Sequence, residues 1–161
     1  MKVRIFTIIM LIFILWSCSG DKAFKHMKRG DDYLSNDNYE LAAVEYTKAI
    51  ELEPNYYYLY MMRCEVYYKQ KKFNLAISDC SKAIKLKGDI ITPYVNRGRS
   101  YAAIGKYDLA TEDIKKAMKL NPSLNDTFKR LLMQIEVWKK EAEQDKQQQL
   151  KAKEGKPVSV F

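Results

Sequence analysis

Apolar and polar positions divide this chain into two regimes. Ile5 to Trp16 form an apolar run broken only by Thr7, with Lys2 and Arg4 before it and Ser17-Cys18-Ser19-Gly20 after it. From residue 23 the pattern becomes periodic, with a period of 34 residues. Tyr33, Tyr67 and Tyr101 coincide at that offset, and so do Ala42, Ala76 and Ala110, Ala49, Ala83 and Ala117, and Leu52, Leu86 and Leu120. The aromatic series Tyr39, Phe73, Tyr107, the leucines Leu41, Leu75, Leu109 and the acidic series Glu45, Asp79, Asp113 keep the same register. A period of this length marks stacked supersecondary units, which sets the repeats at 23–56, 57–90 and 91–124.

Each unit reads as two helices. The first ends near Ser35, Lys69 or Ala103, and a polar turn (Asn36-Asp37-Asn38, Gln70-Lys71-Lys72, Ile104-Gly105-Lys106) leads into the second. The paired alanines lie seven residues apart and share one face of that second helix. Small side chains there let helices approach closely, while Tyr and Leu fill the gaps beside them. Only 6 Gly and 4 Pro interrupt the chain, so an all-α array is expected. Pro54 and Pro122 stop one unit and open the next.

The open end of such a stack needs a cap. Residues 125–140 supply one, with Asp126 or Thr127 as N-cap and Phe128, Leu131, Leu132, Ile135 and Trp138 as a stripe laid on the third unit. Trp138 reads as part of that core. Residues 141–161 carry no apolar stripe. They read as a solvated helical extension or a disordered segment with an apolar end.

Composition narrows the function classes. The net charge of +8 is spread along the chain, and Glu and Asp interrupt the Lys runs, which argues against nucleic acid as partner. The single His26 has no companions at metal-ligand spacing, and no phosphate loop or hydrolase motif is present. No catalytic residue, metal or cofactor is expected. Asp31 and Asp32 diverge by about 100° on a helix and lack a nucleophile, so they make a poor acid–base pair.

The small, aromatic and alanine positions (Gly30, Tyr33, Ala42, Tyr46, Ala49, Pro54; Tyr60, Cys64, Tyr67, Ala76, Cys80, Ala83; Tyr94, Gly98, Tyr101, Ala110, Ile114, Ala117, Pro122) closely resemble the tetratricopeptide repeat (TPR) over residues 23–124. Cys64, Cys80, Gly88 and His26 depart from its pattern. The resemblance implies a right-handed α-solenoid of three helix–turn–helix repeats plus a capping helix, and a scaffold that binds a peptide or protein rather than an enzyme. The first helices would line a concave groove, bringing Phe24, Met27, Lys28, Asp31, Leu34, Tyr58, Met61, Met62, Glu65, Tyr68, Thr92, Val95, Asn96 and Arg99 to it. Such a Met- and Tyr-rich groove suits a partly apolar peptide. The family's carboxylate clamp for chaperone tails uses Lys, Asn and Arg where this chain has Met27, Asp31 and Met62, so that activity does not carry over.

Residues 1–17 have the layout of a secretory signal, and their twelve-residue apolar run covers about 18 Å as a helix, short of a bilayer core. Leu15-Trp16-Ser17-Cys18 resembles the bacterial lipobox, with Trp16 departing from the usual residue. That implies acylation of Cys18, a short linker at 18–22, and a lipid-tethered protein of the cell envelope facing the periplasm or exterior. A structural envelope spacer or an enzyme accessory subunit is the alternative role. Cys64 and Cys80 fall on the two helices of one repeat. An oxidising envelope permits a disulfide if their Cα atoms lie within about 7 Å; otherwise they are two buried apolar thiols. Ser159-Val160-Phe161 resembles the C-terminal ligands of PDZ domains.

Overall fold

The computed structural model describes residues 20–154. The segment read as a signal, Cys18 and the terminal Ser159-Val160-Phe161 lie outside them. Helix α1 covers residues 20–35, followed by α2 (Tyr39–Leu52), α3 (Tyr57–Lys69), α4 (Phe73–Leu86), α5 (Ile91–Ala103) and α6 (Tyr107–Leu120). A 3-10 turn at Pro122–Leu124 leads into α7 (Asn125–Glu154). Consecutive helices pack in sequence, and α3 also touches α5, so the first helices of successive repeats stand side by side. The result is a right-handed α-solenoid of three helix pairs closed by a capping helix.

The period is visible in the turns. Asp37, Lys71 and Gly105 occupy one turn position and adopt φ of 56°, 59° and 75°, the left-handed conformation that reverses the chain. The next amide, of Asn38, Lys72 or Lys106, donates to the carbonyl of Tyr33, Tyr67 or Tyr101 at 2.9, 2.8 and 2.8 Å. The repeating tyrosine therefore marks the last turn of each first helix. Tyr60 donates its hydroxyl to Pro54 O at 3.0 Å, and Tyr94 donates to Gly88 O at 3.1 Å. That linker position supplies a carbonyl, which is why Gly88 serves where the pattern has proline.

Within each repeat the helices meet at one pair of positions sixteen residues apart. In repeat one a Cβ on Gly30 would stand 2.7 Å from the fully buried Tyr46 ring. In repeat three a Cβ on Gly98 would meet Ile114 Cδ1 at 3.0 Å. In repeat two the same positions hold Cys64 and Cys80, joined by a disulfide with Cα atoms 5.4 Å apart. Of the two alternatives the structure takes the bond. Two small residues leave room that neither a glycine nor a large side chain fills, and the S–S bridge fills it.

The capping helix differs from expectation in two respects. It begins at Asn125, before the expected caps Asp126 and Thr127, because Asn121 accepts from the Ser123 amide at 3.1 Å and starts the 3-10 turn ahead of it. Phe128 and Ile135 are buried with Tyr94 and Ile114, and Leu131 and Leu132 pack beside them. Trp138 does not join this core: it is 41% exposed. The polar extension continues α7 without a break to Glu154. Lys139 of α7 pairs with Asp108 of α6 at 2.6 Å, and Glu136 with Lys140 at 3.9 Å.

Candidate peptide-binding groove

Helices α1, α3 and α5 carry the expected groove residues, and these divide by burial. Met27 and Met62 pack against the core shared by repeats one and two, so only part of each faces outward. Met61, next in sequence, belongs to no core cluster and stays half-buried, as neighbouring helical residues must point differently. Phe24 is 61% exposed at the edge of the stack. Tyr58, Glu65, Tyr68 and Val95 are half-buried, while Lys28, Thr92 and Arg99 are exposed.

The acidic end of the groove is built around Asp31. The Tyr46 hydroxyl donates to Asp31 Oδ1 at 2.6 Å, and Tyr58 also reaches this carboxylate. Burial raises the Asp31 carboxyl above its ordinary value; the Tyr46 bond opposes the rise and the charge of Asp32 adds to it. Burial also raises both phenols, and Asp31 pushes each further in the same direction. Asp31 and Glu65 make this half acidic.

Asn96 has a different environment. It is 7% exposed, and its side-chain amide nitrogen has no hydrogen-bond partner among the described residues. A buried donor left unpaired costs about 1–3 kcal/mol.

A second series, not singled out from the sequence, ties the helices of repeats two and three together and to the repeat before. Arg63 donates to both oxygens of Asp79 at 2.6 and 2.9 Å, and to Thr47 of the preceding repeat at 2.8 Å. Arg97 repeats this with Asp113 at 2.8 and 2.7 Å and Ser81 at 2.9 Å. Each guanidinium also lies between two tyrosine rings, Tyr60 and Tyr67 or Tyr94 and Tyr101. Burial lowers the Arg63 guanidinium and its aspartate more than restores it; for Arg97 the Asp113 bond is the leading cause of a raised value. Repeat one departs. Its Glu45 is held by His26 and Lys48, both at 2.7 Å, while Arg29 remains exposed. Burial would raise the Glu45 carboxyl, but Lys48 and His26 together hold it below its ordinary value.

Among the described residues no group of His, Cys, Asp and Glu is placed to hold a metal, and no helix is long and apolar enough to cross a membrane.

Three helix pairs at a fixed 34-residue period, with left-handed turns and a terminal cap, define a tetratricopeptide-repeat solenoid. A family model described as tetratricopeptide repeat matches residues 26–56 and 91–124, the first and third units. The disulfide-bearing middle unit departs from the pattern at both cysteines. The fold is similar to the first TPR domain of the human RPAP3 protein (TM-score 0.71, 28% identity, 76% of this chain and 96% of that one). It is also similar to the first TPR of Spaghetti (RPAP3) bound to the HSP90 peptide SRMEEVD (TM-score 0.70, 29% identity, 73% and 93%). A third likeness is the second TPR domain of human RPAP3 in complex with the HSP70 peptide SGPTIEEVD (TM-score 0.69, 27% identity, 73% and 98%). No curated protein matches the sequence.

Proposed function

We propose that this protein is a non-catalytic scaffold that holds an extended peptide of a partner protein against α1, α3 and α5, and that lipid on Cys18 tethers it to the bacterial cell envelope. The observation that supports the first half is the likeness in fold to solved TPR domains bound to peptides; Asn96 of α5, whose buried amide nitrogen lacks a partner among the described residues, adds to it. Half-buried Tyr58, Met61 and Tyr68 supply adaptable apolar area on α3. The acidic tails held by those relatives fit poorly here, because Asp31 and Glu65 oppose their charge. A different, less acidic peptide is the expected guest.

Support for the envelope comes from two independent places. The apolar run ending at Cys18 has the layout of a lipoprotein signal. The Cys64–Cys80 disulfide belongs to an oxidising compartment.

Crosslinking in the native cells, followed by mass spectrometry, identifies the partner. Tyr58→Ala and Met61→Ala should each weaken its capture by about 1–2 kcal/mol, roughly five- to thirtyfold, with helical content unchanged. Cys18→Ala should release the protein from membranes or leave it unprocessed. Normal capture by both groove variants, or an acyl-labelled Cys18→Ala protein, overturns the corresponding half.

A further inference from the structure

Where α7 crosses the end of the groove it leaves a cavity of about 380 Å³ lined by Tyr68, Arg99, Ala102, Ala103, Leu131 and Trp138. Its walls are largely apolar. Leu131 and Trp138 stand seven residues apart on one face of α7, so the helix offers both to the same space. Arg99 is the polar exception. Arg63 and Arg97 are bound to aspartates, and Lys129, Lys139 and Lys140 also have carboxylate partners, yet Arg99 makes no ion pair among the described residues. An apolar hole with one unengaged guanidinium at its rim is complementary to an apolar group beside a carboxylate.

We infer that this cavity is a specificity pocket for one large apolar side chain of the bound peptide, flanked by an acidic residue whose carboxylate pairs with Arg99. The inference rests on the groove reading, since Tyr68 belongs to both, and it fixes the direction of the guest. The apolar–acidic end lies against α7, away from Asp31. Arg supports this role better than Lys would, because its planar fork can take a carboxylate through two bonds.

The test uses the processed, lipidated protein in lipid nanodiscs, which begins at Cys18, lacks Trp16 and so has Trp138 as its sole tryptophan. A phage-displayed library of linear heptapeptides is panned against it, and recovered peptides are titrated by Trp138 emission. Expected sequences place Phe, Leu, Met or Trp next to Asp or Glu, and their binding shifts the emission. Arg99→Glu should weaken them tenfold or more, Arg99→Lys less, and Ala103→Phe should block them by filling the cavity. Arg99 and Ala103 are exposed, so all three variants should keep the fold by circular dichroism. Peptides lacking the apolar–acidic pair, or bound equally by Arg99→Glu and Ala103→Phe, overturn the pocket. If such peptides are still lost in Tyr58→Ala, the groove stands and the pocket alone falls. A library that yields no binder removes both.

Discussion

Arg97 Nη2 lies 2.7 Å from Asp113 Oδ1, across the two helices of repeat three, with side chains only 19% and 8% exposed. Since Arg97 also reaches Ser81 of repeat two, one side chain joins three helices. Removing one partner of a buried pair leaves the other charged and unsolvated, which costs about 3–5 kcal/mol. Arg97→Met should therefore lower stability by that order in urea denaturation, and Arg97→Met with Asp113→Leu should recover most of it. Arg29→Met, at the exposed equivalent in repeat one, should stay within about 0.5 kcal/mol of the parent. Equal losses at Arg29 and Arg97 would remove the distinction.

The Cys64–Cys80 bond closes a loop with a sequence separation of 16. A loop of that size stabilises by about 3 kcal/mol, chiefly through the unfolded chain. Reduction should lower the Tm by roughly 6–12 °C. Alkylation of the denatured, unreduced protein should leave both residues unmodified by mass. Two labelled thiols at these positions would contradict the bond.

Glycine at residue 30 is required by distance, because a Cβ there would stand within 3 Å of three Tyr46 ring atoms. Gly30→Ala should cost about 1–3 kcal/mol through overpacking. It should also displace the Tyr46 hydroxyl from Asp31. A Cβ on Gly98 would meet Ile114 Cδ1 at 3.0 Å, the fixed Ala110 carbonyl oxygen at 3.2 Å and Asp113 Cβ at 3.3 Å, all longer than the contacts at Gly30, so Gly98→Ala should cost less. Denaturation curves of the two variants give the order, and the reverse order would refute it.

Ile135 is buried in the cap while Trp138 keeps 41% of its surface. Ile135→Ala should cost about 2–4 kcal/mol. Trp138→Ala should stay under about 1 kcal/mol and act on binding instead. A Trp138→Ala loss as large as that of Ile135→Ala would make the tryptophan a core residue after all.

The repeat register, the helix boundaries at Ser35, Lys69 and Ala103 and the capping residues Phe128 and Ile135 were all legible, because local periodicity determines them. The contact between Cys64 and Cys80 was legible too, as it repeats the Gly30–Tyr46 and Gly98–Ile114 spacing; whether sulfur bonds to sulfur was not. The series Arg29, Arg63, Arg97 sits at the same 34-residue offset and was open to the same comparison. Charged helical positions are usually solvated, so the sequence alone carries no mark that Arg63 and Arg97 are drawn inward. Trp138 was misjudged for a different reason. Its exposure depends on how α7 lies against α6, a tertiary quantity that helical spacing does not encode.

Repeat one has neither the covalent clasp of repeat two nor the arginine fork of repeats two and three; a histidine and a lysine hold its acidic residue instead. Under tension applied through the N-terminal end, α1 should therefore be the first element to peel, with a step in resistance at repeat two. Such an array would act as a graded spring, its first turn giving way while the distal repeats keep their shape.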